Sequence, residues 1–416
     1  MEIFIDILAV IFVIILLIFL GCFLLTQMFF VRRKDQNTID DFSNNTGSKN
    51  PQYDIMCQQA KETIEWARRV GCEEVSTESF DKLKLKGLLI QAEPKSECKE
   101  EQNSESSGGP ATESRSESGG GPATESRSES GGGPATESQA EPKVAICVHG
   151  YRSFGLYDIG PKARILRDAG YNLLIVDNRA HGMSEGKYIG FGNPDSYDIM
   201  KWCEFIKDRF GDNVEILLAG LSMGAATVLT TAGVIAYNKK CKENGENVAA
   251  NIKETVATTN ANNIKETENA AEEADGSVKA KLDASVNIPD VNIVAVLADC
   301  GFSSALDEVS SVASKYLHLP YFPFVVITAW WVKVLAKYKL KDMAAKDYIE
   351  YYEGHLLIIH GGKDDFVPTS MASVIYNQAK CDKDILIVED AEHALSYVVA
   401  ETEYKSAVER LLSKVK

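Results

Sequence analysis

The chain has 416 residues, 45 % of them hydrophobic, with 44 basic and 60 acidic side chains and a formal net charge of −16. That length is ample for a large buried core, and the acidic balance excludes a nucleic-acid-binding surface. The nine cysteines are scattered and form no CxxC pair, which excludes a zinc-ribbon or thioredoxin-type motif and fits reduced thiols better than a disulfide framework.

Residues 7–25 form an apolar run without a single charge, long enough to cross a hydrocarbon core of roughly 30 Å. Arg32-Arg33-Lys34 follow it and only the acids Glu2 and Asp6 precede it. A secretory signal carries its positive charge on the other side. The bias predicts a single-pass anchor over residues 1–31, with the bulk of the chain in the cytoplasm. Residues 32–75 read as a juxtamembrane tether. Within it, apolar residues at helical spacing (Ile55, Ala60, Ile64, Ala67) predict a short amphipathic helix over Gln52–Val70. Residues 80–90 read as a hairpin or strand that opens a folded domain over 76–416.

Two insertions interrupt that domain. Over 96–143, Pro110-Ala111-Thr112-Glu113-Ser114 recurs from Pro122 and again from Pro134. The insertion's edges repeat as well, Gln91-Ala92-Glu93-Pro94-Lys95 returning as Gln139-Ala140-Glu141-Pro142-Lys143. Over 239–287, Asn251-Ile252-Lys253-Glu254-Thr255 returns from Asn263. Both are too polar to offset chain entropy and are predicted to be disordered. Each precedes a predicted parallel strand, so each should leave the sheet at the edge away from the strand C-termini. The remaining chain alternates: apolar strand-like runs near 144–148, 172–177, 214–219, 291–298, 355–360 and 384–388 with helical stretches between. Strands without polar alternation are buried on both faces, hence an α/β class with a mostly parallel sheet covered by helices. A second apolar run, 321–332, is too short to span and predicts a buried or cap helix.

The chemistry centres on Gly220-Leu221-Ser222-Met223-Gly224, placed after a strand and before a helix. Glycines two positions either side let Ser222 sit on a sharp turn that presents its hydroxyl above the sheet, although a serine can also merely cap the helix that follows. A serine nucleophile needs a base and an orienting acid. Acids follow the 355–360 strand (Asp364, with Asp365 competing), and His393 follows the 384–388 strand. Gly150 permits a turn after the first parallel strand. The backbone N–H groups of Tyr151 and Met223 would then form the oxyanion hole. His149, His181 and His360 sit beside glycines without metal-ligand spacing and read as turn-stabilising residues, so neither metal nor cofactor is expected.

These motifs, together with Val148-His149-Gly150-Tyr151, the stretch from Asp177-Asn178-Arg179-Ala180-His181-Gly182 to Gly186, and Leu297-Ala298-Asp299-Cys300-Gly301-Phe302, resemble the α/β-hydrolase superfamily. The chain looks most similar to its bacterial membrane-tethered branch of serine aminopeptidase-like and monoglyceride-lipase-like hydrolases, from about Ser76 to the C-terminus. The resemblance aligns Asp364, within Asp-x-x-Val-Pro, as the triad acid. It implies a membrane-anchored serine hydrolase acting on a small-molecule or lipid-like acyl substrate, an ester, thioester or amide. An aminopeptidase, an acyltransferase and a non-catalytic anchored binding protein remain open alternatives. The aromatic residues between Ser303 and Lys346 suit an apolar acyl pocket and ordinary helix packing equally.

Overall fold

The computed structural model describes residues 1–33, 50–92, 141–244 and 287–415. Helix α1 (Glu2–Phe30) is followed by α2 (Gln52–Val70) and the hairpin β1 (Glu73–Glu78) and β2 (Lys84–Ile90). Strands and helices then alternate through β3 (Lys143–Val148), α3 (Gly155–Asp168), β4 (Asn172–Asp177), α4 (Asn193–Phe210), β5 (Glu215–Leu221) and α5 (Met223–Glu243). The second part runs through β6 (Asn292–Asp299), α6 (Ala305–Lys315), α7 (Val326–Leu335), β7 (His355–Gly361), α8 (Ser370–Gln378), β8 (Lys383–Val388) and α9 (Glu401–Lys414).

One sheet takes the order β1-β2-β4-β3-β5-β6-β7-β8. The β1–β2 and β2–β4 pairs are antiparallel and the other pairs parallel. Alternate residues of each parallel strand feed two separate cores. Ile146, Leu218, Val296 and Ile358 join Trp202 and Ile206 of α4 and Val228 of α5 on one face. Cys147, Leu217, Leu297 and Ile359 join Leu166 of α3 and Tyr404 and Val408 of α9 on the other. Burial on both faces contributes about 1.5–3 kcal/mol per large aliphatic side chain, and it explains the unbroken apolar runs. β3 lies between β4 and β5, so successive crossovers leave it in opposite directions and open a crevice beyond the strand C-termini.

Three boundaries differ from the sequence expectation. Lys143 opens β3, and Lys239–Glu243 are the last residues of α5, so both belong to regular elements and not to insertions. The rest of the two insertions, 96–140 and 245–286, lies outside the described residues, as does most of the tether, 34–49. The N-terminal helix is also not separate from the rest of the fold. Ile3 to Leu17 of the helix are exposed, whereas Cys22, Thr26 and Phe30, spaced by four, are buried against the remaining chain. Beyond the helix, Arg32 N–H donates to Lys187 O at 2.9 Å and Ile189 N–H to Phe30 O at 2.8 Å. The Arg32 guanidinium donates to the carbonyls of Gly182 and Ser184. Among the described residues one helix, Ile3–Phe30, is long and apolar enough to cross a membrane.

The second apolar run is a cap. A short turn, Tyr321–Val325, leads into α7, with Val325, Thr328 and Val332 buried. Its other face meets α1: Trp330 packs edge-on against Phe19 and Trp331 against Phe23, at 6.0 and 5.0 Å between centroids. Trp331 Nε1–H donates to Phe19 O at 3.2 Å.

Candidate functional site

Ser222 occupies the turn from β5 into α5 with φ 54° and ψ −117°, a backbone that costs about 1–3 kcal/mol and persists only where packing enforces it. A Cβ at Gly220 would fall on the backbone of Gly224 and Ala225, and one at Gly224 on the carbonyls of Val148 and His149. Both flanking glycines are therefore required by close approach. The turn aims Ser222 Oγ at His393 Nε2, 2.9 Å away, while His393 Nδ1 lies 2.7 Å from Asp364 Oδ2. Facing a carboxylate, Nδ1 carries the proton, which leaves Nε2 to accept from the serine hydroxyl.

Asp364 is held on every side. Its Oδ1 accepts from the amides of Phe366 and Val367 at 3.0 and 2.8 Å. His360 Nε2 lies 3.3 Å from Oδ2 and 2.9 Å from Val367 O; facing two acceptors, it carries its proton there. Burial pushes the Asp364 pKa up, but the hydrogen bonds from His360 and His393 outweigh it and hold the carboxyl well below the usual carboxylate range. Asp365, the competitor, instead pairs with Lys315 at 2.6 Å on the surface. Sequence reasoning gave His360 only a turn role and missed its place beside the acid. Cys300 Sγ, Asp364 and His393 offer ligand atoms within 4.8 Å of one another; the His393 and Asp364 atoms that face each other already share the Nδ1 hydrogen bond.

Two amides of the loop after β3 are taken by neighbouring side chains. Gly150 N–H donates to Asp158 Oδ2 at 2.7 Å, and Arg152 N–H to His181 Nε2 at 3.0 Å. Between them, Tyr151 N–H has no acceptor among the described residues, nor has Met223 N–H, the first amide of α5. A helix N-terminus of this kind favours negative charge. His149 and His181 brace the same loops, Nε2 of His149 accepting from Asn178 N–H at 3.0 Å.

Ser222 and Met223 border a cavity of about 140 Å³. Phe302, Val309, Val312 and Phe366 form part of its wall. The cap supplies Phe324, Val325 and Thr328, and α1 supplies Leu25, Phe29 and Phe30. None of the α1 residues was singled out from sequence. Glu308 also lines the cavity, only 3 % exposed, and neither of its carboxyl oxygens has a partner among the described residues. Burial, followed by the charge of Asp364, pushes its pKa up to about 8. A signal for it was present: Glu308, Val309, Val312 and Ala313 share one helical face, so the acid interrupts an apolar stripe.

The family described as serine aminopeptidase, S33, a hydrolase family, matches residues 140–253, from the start of β3 through the serine turn and α5. The chain has the α/β-hydrolase fold. The hydrolase-family match supports a hydrolase. "Uncharacterized protein YqkD" of Bacillus subtilis (strain 168) is 23 % identical over 274 residues, covering 66 % of this chain and 72 % of its own. Similar solved structures include the Pyrococcus furiosus esterase Pf2001, 17 % identical with a TM-score of 0.49, covering 88 % of this chain and 95 % of that one. Another is a bacterial membrane phospholipase A, 13 % identical with a TM-score of 0.45, covering 88 % and 94 %.

Proposed function

We propose that the protein is a membrane-anchored serine hydrolase that cleaves an acyl ester through an acyl-Ser222 intermediate. The observation that supports this most is the chain of contacts Ser222 Oγ–His393 Nε2–Asp364 at 2.9 and 2.7 Å, bordering an apolar cavity. Ser222 Oγ attacks the acyl carbon as His393 Nε2 takes its proton. The tetrahedral oxyanion accepts from the Tyr151 and Met223 amides, each donor being worth about 10²–10³ in rate at such sites. His393 then protonates the departing alkoxide, and water repeats the cycle to release the acid. Ionised Asp364 keeps the histidine proton on Nδ1 and stabilises the imidazolium.

A retained anchor fits the packing. Removal of α1 as a signal would strip the buried Cys22, Thr26 and Phe30 and one wall of the cavity. The basic residues after the helix favour a cytoplasmic catalytic side. An aminopeptidase is the second reading, because Glu308 is an unpartnered carboxyl in the cavity. With a pKa near 8 it is mostly neutral at pH 7, a poor partner for a substrate ammonium.

One experiment tests nucleophile and topology together. In intact cells a membrane-permeant fluorophosphonate should label the wild type and not Ser222→Ala, whose ester hydrolysis should fall by about a millionfold. A charged, impermeant probe should label nothing until the membrane is opened. Equal labelling of both proteins removes Ser222 from the mechanism, and labelling by the impermeant probe places the site outside.

A further inference from the structure

The anchor helix does more than tether. Its last turns contribute Leu25, Phe29 and Phe30 to the wall of the cavity at Ser222. They are fastened to the loop that carries the Tyr151 amide: Tyr151 Oη–H donates to Phe29 O at 2.7 Å, and the Arg152 guanidinium donates to Met28 O. Two of the carbonyls left open at the end of α1 are thus satisfied by residues of the candidate oxyanion loop. The opposite wall, Phe324, Val325 and Thr328, belongs to the cap that packs on α1 through Phe19, Phe23, Trp330 and Trp331.

The exposed part of α1, up to Leu17, is about 16 residues, or about 24 Å, most of the thickness of a hydrocarbon core. With that stretch in lipid, the seam between α1 and α7 meets the membrane surface. Trp330 and Tyr321, 48 % and 54 % exposed beside it, are residue types that favour that interface. A cavity of about 140 Å³ is close to one that takes up a benzene ring, so about six carbons fill it. A longer chain must leave it, and on the α1–cap side that path leads along apolar side chains to the bilayer.

We propose that α1 is the acyl-binding wall of the Ser222 cavity, and that the substrate is a long-chain acyl ester of a bilayer lipid which enters between α1 and α7. The proposal rests on the serine-hydrolase reading above. Its test uses full-length protein in vesicles, a small fluorophosphonate probe and a series of acyl esters from two to sixteen carbons. Leu25→Trp fills the wall, whereas Leu24→Trp alters the neighbouring residue, 57 % exposed on the outer face. Misfit by a single methylene in an apolar pocket changes rates by about 10–200-fold. Leu25→Trp should therefore lower the long-to-short ratio of kcat/KM at least tenfold while still reacting with the small probe. Leu24→Trp should keep the wild-type profile. The long-chain ester should be hydrolysed when it shares the enzyme's vesicles and not when it is held in separate ones.

An unchanged chain-length profile in a Leu25→Trp protein that still labels overturns the wall. Equal hydrolysis across separate vesicles overturns entry from the bilayer. If the small probe fails to label wild-type Ser222, the serine-hydrolase reading itself fails, and this proposal with it.

Discussion

Among the side chains around Ser222, Glu308 has no hydrogen bond from the described residues to offset its burial, and its proton does that work instead. Its folded-state pKa of about 8 stands above the ordinary glutamate value of 4.5. The folded chain therefore holds a proton that the unfolded chain releases. The associated stability is fully present below about pH 4.5 and is lost as pH rises through about 8, by at most about 5 kcal/mol. Glu308→Gln keeps the shape without the titration. Melting of wild type and variant in the same vesicles at pH 5.5 and 8.5 should show a shallower pH dependence in the variant. Parallel slopes would mean that Glu308 is ionised and paired. Asp364 has the opposite sign: its lowered pKa adds stability above the ordinary aspartate range, lost only as pH falls toward the depressed value.

At the scale of elements, legibility followed burial. The parallel strands are buried on both faces, so their apolar runs announced them to within a residue or two. The serine turn was equally plain, because close backbone approach demands glycine at 220 and 224. β1 was not visible: it is an edge strand in which only Val75 is buried, and its polar residues look like loop. Glu308, Leu25 and Phe29 were obscure for another reason. An apolar stripe states that a face is covered and not what covers it, so a membrane span and a pocket wall look alike along one helix. The described flanks of the insertions bear on the expectation for them. Ala92 N–H donates to Asn172 Oδ1 at the start of β4, and Lys207 Nζ to Asp290 O before β6. Both flanks lie at the strand N-termini, about 20 Å, a six-residue strand, from the site. Excising residues 96–141, or 246–285, should leave kcat/KM within about twofold. A tenfold loss in a deletion that melts like the wild type would bring that insertion to the cavity.

Taken as a whole, the described chain joins an exposed apolar helix to an α/β core with no slack between them, since Cys22, Thr26 and Phe30 are buried and Arg32 pairs at once with Lys187. Its angular register therefore matters in one half of α1 and not in the other. An alanine inserted after Phe12 turns the preceding residues by about 100° and shifts them about 1.5 Å, but none of those from Ile3 on packs against the core. The same insertion after Phe23 turns either Cys22 or the pair Thr26 and Phe30 off the shared face. The first variant should hydrolyse a long-chain ester in vesicles at nearly the wild-type rate, and the second should lose most of that activity; equal rates would show that the clamp is not needed. The exposed half of α1 measures only length, whereas the clamped half measures phase.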